Sequence, residues 1–328
     1  MMIAGKTTKF ILVAATGAAL ALAGCSKSSD NKGSGGPKGA SKAAKTAFAY
    51  LPKDSAAIFG VSSGLVQGLL KDLVKSQIEK SMPAQFKAIK AKCGIDVVSD
   101  LKSVVAVMGK DQKDKTKQFV VVNGSFDKKK INDCVNQSEV DGKKLSAKAD
   151  GKLTAYSREG DDNVFYGWWP SDNTVVFSPA PNNKAGVEAL VTQKKSVADN
   201  KRLMSFVKDV NTKGHLWGVG DVKMVGIRAE QPDGTLIELD AGKELKLNLR
   251  LRYAEKASAE KAKTGIEGQL AKLNKGMAGA FIGPFLKDLK LSTKDNDAVI
   301  VLKLDDTLVK RAVGLMKNFG GMMGGRRR

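Results

Sequence analysis

Apolar and polar residues alternate along much of the chain, and this alternation predicts a series of antiparallel strands. The clearest run spans residues 244–253, in which Leu245, Leu247, Leu249, Leu251 and Tyr253 alternate with Lys246, Asn248, Arg250 and Arg252. Because a strand directs successive side chains to opposite faces, the run predicts one packed face and one wet, basic face. Shorter runs predict strands within residues 55–61, 103–108, 119–122, 144–177, 215–219, 236–239 and 290–304.

Other segments carry apolar residues at helical spacing and predict helices between these strands. Such segments lie at residues 65–78, 185–191, 202–210 and 258–273. Asp127 and either Asp305 or Asp306 precede two further helical runs, where an aspartate can cap the first turn. The order strand, charged turn, strand, Asp cap, helix occurs at residues 103–136 and again at 288–319. The pattern therefore predicts an α+β fold of antiparallel sheets with packed helices, arranged as two related halves at 48–195 and 196–319.

The first residues have the organisation of an export signal. Lys6 and Lys9 precede an apolar stretch over residues 10–23, which is too short to span a bilayer comfortably as a helix. The stretch ends in Leu22-Ala23-Gly24-Cys25, and this string resembles the lipobox of bacterial lipoproteins. The resemblance implies a signal peptide over residues 1–24, cleavage before Cys25, and a membrane anchor formed by lipid on the Cys25 thiol.

The resemblance extends to location and to part of the body. Ser26 follows the cysteine, as in lipoproteins sorted to the outer membrane of a two-membrane envelope. Residues 26–47 are rich in Ser, Gly, Lys and Ala, which predicts a flexible tether over 25–47, and residues 320–328 predict a disordered basic tail. The strings YLPKDSAAIFGV, CGIDVVSDLKSVVAV and FVVVNGSFDKKKINDC are similar to uncharacterised exported lipoproteins of Gram-negative bacteria, a resemblance that implies architecture without an activity.

Two cysteines remain once Cys25 is assigned to lipid. Export places Cys93 and Cys134 in an oxidising compartment, where a disulfide between them is the simplest interpretation. Two buried free thiols are the alternative. Neither cysteine has the close spacing or the activating neighbour that redox catalysis requires.

Residues that carry chemistry are scarce. The chain has one histidine, His215, which lies in an apolar strand, so a nucleophilic triad or a histidine-rich zinc site is not expected. Ser205 and Ser258 begin S-x-x-K strings, but the S-D-N element that follows such strings in acyl-transfer enzymes lies at Ser171-Asp172-Asn173, before both serines. We therefore expect no catalytic residues, no metal and no cofactor.

Charge suggests the class of partner. The 328 residues carry a formal net charge of +21, of which residues 1–24 contribute +2, residues 25–49 +4 and residues 317–328 +4, leaving +11 on residues 50–316. An exported chain with few aromatic residues is not expected to bind nucleic acid. The charge favours attraction to an anionic lipid, a polysaccharide or an acidic protein.

Five residues are candidate contacts for a ligand or partner. Lys246, Arg250 and Arg252 form the basic face of the predicted strand at 244–253, and Tyr166 and Trp168 share one face of an unusually aromatic strand. The aromatic strand is either covered on both faces or exposes a contact patch. The favoured hypothesis is a non-enzymatic envelope lipoprotein with a binding or structural role. The alternative is a carrier of a lipid or other hydrophobic ligand in an apolar pocket.

Overall fold

The fold is given by a computed structural model, which describes residues 40–66, 93–94, 100–221, 231–275 and 283–311. Cys25, most of the predicted helix at 65–78 and the predicted basic tail lie outside the described residues. Within the described ranges, no helix combines the length and the apolar composition needed to cross a bilayer.

A single sheet of thirteen strands forms the frame of the protein, and every strand pair in it is antiparallel. The strands follow one another across the sheet in the order β12-β13-β11-β10-β9-β1-β2-β3-β8-β7-β6-β5-β4. Their bounds are β1 Ala57–Ser62, β2 Leu101–Met108, β3 Phe119–Gly124, β4 Glu139–Val140, β5 Lys143–Asp150, β6 Leu153–Arg158, β7 Phe165–Ser171, β8 Thr174–Phe177, β9 Leu216–Gly220, β10 Gly234–Ala241, β11 Leu245–Arg252, β12 Leu289–Lys294 and β13 Asp297–Leu304.

Helices pack on this sheet, so the predicted mixture of helices with antiparallel strands is confirmed. The described helices are α1 Lys42–Phe48, α2 Lys128–Gln137, α3 Lys184–Thr192, α4 Lys201–Val207 and α5 Lys256–Lys275. The Asp127 side chain accepts a hydrogen bond from the Lys130 N–H at 2.9 Å, and Asp305 accepts one from Leu308 at 2.7 Å at the start of a further helical segment. Both predicted aspartate caps are therefore present.

The predicted tether extended too far along the chain. It was expected to reach residue 47, but Lys42–Phe48 form helix α1. The side chain of Ser41, just before the helix, accepts a hydrogen bond from the Ala44 N–H. Ala44, Ala47 and Phe48 are buried because their spacing of three and four residues places them on one helix face. The composition of the segment hid this short apolar stripe, and the packed body begins at about Ala40.

One face of the sheet carries the main core, and we call it the core face. Helices α1, α3 and α4 cover it, and their apolar residues pack against strands from both predicted halves. This cluster contains Phe48, Val187 and Phe206 from the helices and Ile58, Val107, Val176 and Leu236 from the strands. All strands before residue 195 lie on one side of the β1–β9 pairing and all later strands on the other, yet the halves share this core.

The other face of the sheet is covered at its two ends by α5 and α2. Helix α5 packs on β12 and β13, where Ala259, Ala262 and Ile266 meet Leu251 and Ala298. Helix α2 packs on β5 and carries Cys134, which is bonded to Cys93 with 5.8 Å between the two Cα atoms. The predicted disulfide is thus confirmed, and the interpretation as two free thiols is wrong.

Candidate functional site

The core face becomes polar beyond helix α4, and a groove of about 440 Å³ lies there. Strands β10, β11, β13 and β12 form its floor, and Asp209, just after α4, forms one wall. We call it the lysine groove, and it is lined by Asp209, Glu238, Lys246, Asn248, Arg250, Lys294, Val299, Val301 and Lys303. Two of the sequence-predicted contacts, Lys246 and Arg250, lie in it.

The basic face of β11 is less exposed to solvent than the alternation of its residues predicts. The side chains of Arg250 and Arg252 are only 16% and 25% exposed. Arg252 donates to both carboxylate oxygens of the buried Asp297, at 2.8 and 2.9 Å, and to Asp209 at 2.8 Å. These hydrogen bonds raise the pKa of the Arg252 guanidinium, with Asp297 as the largest cause. Arg252 therefore joins the sheet to the end of α4 instead of offering a free charge to a partner.

Arg250 has the same structural character. It donates to the backbone carbonyl of Asp209 and lies 3.7 Å from the Glu238 carboxylate. Glu238 in turn accepts hydrogen bonds from Asn248 Nδ2 at 2.7 Å and from the Asn211 N–H. The prediction that Arg250 and Arg252 are solvent-exposed contact residues is therefore corrected. Their charges are neutralised by Asp209, Glu238 and Asp297.

The lysines of the groove are different, since Lys246, Lys294 and Lys303 form no ion pair with any residue that the structure describes. Lys246 and Lys303 are direct partners in the register of β11 and β13, so their side chains leave the same face of the sheet side by side. Asp240 faces Lys246 from the other side, on β10, but its carboxylate lies 2.7 Å from His215 Nδ1. Like charges opposite each other destabilise a sheet, and an anion between them would relieve this repulsion.

The floor between these lysines is apolar. Val299 and Val301 lie on β13 on the same face as Lys303, since residues two apart in a strand share a face. Lys294, Lys303 and the two valines are not among the contact residues that the sequence predicts. The available signal was the alternation Val299, Val301, Lys303 on β13, but its meaning depends on the pairing of β13 with β11, which the sequence does not specify.

The other candidate contacts, Tyr166 and Trp168, pack against the core. The Trp168 ring meets the Tyr50 ring edge-on at 5.3 Å between centroids, and helix α3 packs on β7. On the opposite face of the strand, Trp169 Nε1 donates to the Tyr156 hydroxyl at 2.9 Å, and burial raises the pKa of Tyr156 to about 12. Tyr166 and Trp168 are thus partly buried against the core and do not form an open contact patch, whereas Phe165 at the start of β7 is 36% exposed.

The two groups of candidate residues cannot form one site. Six strands separate β7 from β11 in the sheet. With strands about 4.8 Å apart, Trp168 and Arg250 lie roughly 34 Å from each other along the sheet. Only the group on β11 therefore belongs to the lysine groove.

A second groove of about 310 Å³ lies on the other face, between α5 and β12. We call it the leucine groove, and it is lined by Glu267, Leu270, Ala271, Asn274, Leu286, Leu289 and Leu291. Glu267 is paired with Lys263 on the same helix at 2.8 Å. Both grooves reach strand β12, one on each face of the sheet.

His215 has a structural position. Its Nδ1 atom lies 2.9 Å from the Ala241 backbone nitrogen and 2.7 Å from Asp240 Oδ1, so the ring joins the start of β9 to the end of β10. Among the described residues, no group of three or more His, Cys, Asp or Glu side chains is placed to hold a metal ion.

Comparisons with known proteins give little to add to this geometry. No family model matches the chain, and no curated protein matches it. One solved structure, described as "Structure of crystal form I of TP0453", is similar over 82% of this chain and 96% of that chain, at 12% identity and a TM-score of 0.43. A likeness at this score carries no argument about function.

Proposed function

We propose that the protein is a non-enzymatic lipoprotein of the cell envelope, anchored by lipid on Cys25 to the outer membrane, whose lysine groove binds an anionic envelope component. The anchor rests on the basic start of the chain, the short apolar stretch and the string Leu22-Ala23-Gly24-Cys25. The binding role rests on the groove. Its single strongest support is the cross-strand pair of Lys246 and Lys303, two like charges held side by side, neither of which forms an ion pair with a described residue.

The groove favours a ligand that combines an acidic group with an apolar part. Lys246 and Lys303 can bind a phosphate or a carboxylate between them, while Val299 and Val301 offer apolar surface beside it, toward Lys294 at the other end of the groove. Headgroups of anionic lipids and acidic polysaccharides both carry such groups, and lysine binds them as a point charge without strict geometry. The carrier hypothesis has less support, since both described grooves open to solvent and Tyr166 and Trp168 are used in the core.

We also propose that the body consists of two related halves. The hairpin β2–β3 is followed by Asp127 and a helix, and the hairpin β12–β13 is followed by Asp305 and a helical segment. The same order of elements on the two sides of the β1–β9 pairing is the observation in favour of this relation.

The binding proposal is tested with the mature chain carrying Cys25→Ser, mixed with vesicles of anionic or zwitterionic lipid and, separately, with an acidic polysaccharide. We expect binding to anionic vesicles at low salt that weakens at high salt. The double variant Lys246→Gln/Lys303→Gln should bind about tenfold less tightly, because each lost contact contributes about 0.7 kcal/mol. The pair Lys110→Gln/Lys113→Gln, in the exposed turn between β2 and β3, removes the same charge and is the matched control.

The outcomes separate the parts of the proposal. Equal losses in the two double variants would mean that net charge, and not the groove, attracts the anion. Selective binding of the polysaccharide alone would assign the groove to a sugar acid instead of a headgroup. The lipid anchor is tested in cells with the same substitution. The wild-type chain should sediment with membranes and the Cys25→Ser chain should not. An unchanged distribution between membrane and soluble fractions would refute the anchor.

A further inference from the structure

Strand β12 is the last strand of the described sheet at its C-terminal end, and its outer edge faces no other described strand. We propose that this edge binds an extended segment of a partner protein, which adds to the sheet as a further strand and carries acidic residues on one face and apolar residues on the other. This interface goes beyond the proposed function, because it uses the outward backbone groups of β12, although one of its lysines, Lys294, also lines the lysine groove.

The hydrogen bonds identify the backbone groups that are free to pair. The Tyr253 N–H donates to the Asn296 carbonyl, so the backbone groups of Asn296 point toward β11. The N–H and C=O groups of Asp297, and of every second residue after it, therefore point toward β12. Lys294, Ser292 and Lys290 are their partners and exchange hydrogen bonds with β13. It follows that Leu289, Leu291 and Thr293 direct their N–H and C=O groups outward, away from the sheet.

The side chains of β12 divide sharply between the two faces. Lys290, Ser292 and Lys294 are exposed on the side of the lysine groove, while Leu289, Leu291 and Thr293 are half-buried on the side of α5. An added strand has the same alternation. Its side chains would therefore lie beside the two lysines on one face and beside Leu289, Leu291 and the leucine groove on the other.

Charge selects the occupant. Neither Lys290 nor Lys294 forms an ion pair with a residue that the structure describes, so acidic side chains on the added strand would find two free cations. A second copy of this chain would instead bring the same lysines onto the same face of the extended sheet, which like-charge repulsion disfavours. Edge addition with side-chain pockets on both faces is a common mode of recognition for extended segments.

The experiment uses the mature chain with Cys25→Ser and a labelled eight-residue peptide in which glutamate and valine alternate. A peptide with the same eight residues in two blocks is the control for charge alone. We expect the alternating peptide to bind at least about tenfold more tightly than the block peptide, because only alternation matches the period of a strand.

Thr293→Pro tests the strand directly. Proline at this position removes an outward N–H while keeping the hydrogen bonds to β13, so the edge is blocked and the hairpin remains. Thr293→Val keeps the N–H and is the matched control. We expect peptide affinity to fall by about tenfold or more in the proline variant and to stay unchanged in the valine variant, with equal thermal unfolding.

Several results would overturn the proposal. Wild-type affinity in Thr293→Pro would exclude strand addition, and equal affinity for both peptides would reduce the contact to charge. A concentration-dependent dimer that Thr293→Pro abolishes would assign the edge to a second copy, and absence of peptide binding would mean that the edge is not available.

If the proline variant does not fold, Lys290→Glu/Lys294→Glu replaces it, and binding should then shift to a peptide that alternates lysine and valine. Vesicle binding by the Thr293→Pro chain, measured in parallel, separates failure of this interface from failure of the lysine groove.

Discussion

The two ends of the sheet differ in whether the outward backbone groups near the edge have partners. At the N-terminal end, the two-residue strand β4 is outermost and β5 lies next to it. There the Leu145 N–H of β5 donates to the Ser138 carbonyl, and the Asn136 side chain accepts from the Ala147 N–H at 2.6 Å and donates to the Ala147 carbonyl at 3.2 Å. At the C-terminal end, the described residues provide no such partner for β12. We refer to these as the closed end and the open end.

The comparison shows that an antiparallel edge can be completed by a side chain. The amide of Asn136 has one donor and one acceptor, the same pair that a strand backbone would offer to Ala147. Exposed edges invite pairing with other chains, and natural proteins protect them with short strands, covering elements or lysines. The closed end uses the covering element α2, whereas β12 carries only lysines, which deter a second copy but attract an acidic segment.

The largest expected effect concerns the disulfide, which fixes α2 at the closed end. Cys93 and Cys134 are 41 residues apart, and a bridge of this length stabilises the folded chain by about 4 kcal/mol in the chain-entropy model. We expect Cys93→Ala/Cys134→Ala to lower the free energy of unfolding in urea by about this amount.

The effect should also be confined in space. Amide hydrogen exchange in β5 should accelerate more than exchange in β11, because α2 packs on β5 and not on β11. A reducing agent should destabilise the wild-type protein by a similar amount and leave the double variant unchanged. A uniform loss of protection at both ends would contradict a local role for the bridge.

An intermediate effect is expected at the open end, where Arg252 joins β11 to β13 and α4. Its removal in Arg252→Met leaves the Asp297 carboxylate, only 9% exposed, without its charged partner, and we expect a loss of about 3 kcal/mol in the free energy of unfolding. Arg202→Met is the matched control. Arg202 also pairs with an aspartate and also lies over the Phe206 ring, but its side chain is 56% exposed, so its loss should be below about 1 kcal/mol.

Adding Asp297→Asn to Arg252→Met should recover part of the lost stability, since the buried charge that lacked a partner is then removed. Equal effects of Arg252→Met and Arg202→Met, measured by urea unfolding, would show that burial of Asp297 does not set the energetics of this end.

Local features could be predicted from the sequence, whereas features that depend on distant residues could not. The alternation in 244–253, the Asp127 cap and the Cys93–Cys134 bridge each follow from composition or spacing within one segment or one residue type. The partners of Arg250 and Arg252 come from elements up to 45 residues away along the chain, and no periodicity indicates them. The lysine groove was therefore predicted only through Lys246 and Arg250, and its other lysines became apparent once the register of β11 and β13 was known.

Helix α1 was missed for a different reason. Its sequence KAAKTAF has the small and basic composition of the preceding tether, and only three residues of the segment are buried. A window of seven residues gives a weak periodic signal, so composition outweighed it. The outer edges of the sheet were equally hidden, because an edge is a property of strand order and not of any one strand.

The smallest expected effect concerns Asn136, at the closed end of the sheet. Its side chain is exposed, and each of its two hydrogen bonds to Ala147 contributes only about 0.5 kcal/mol in contact with water, so Asn136→Ala should cost about 1 kcal/mol in stability. The local consequence is specific: the Ala147 amide loses its acceptor, and its hydrogen exchange should accelerate by several-fold, about the factor that 1 kcal/mol gives. Asn136→Asp keeps an acceptor for the Ala147 N–H but places a second acceptor against the Ala147 carbonyl, so protection of that amide should persist while stability still falls. If both variants exposed the amide equally, a general loosening of α2 and not the amide pair would account for the closed end, and the contrast with β12 would then rest on the helix alone.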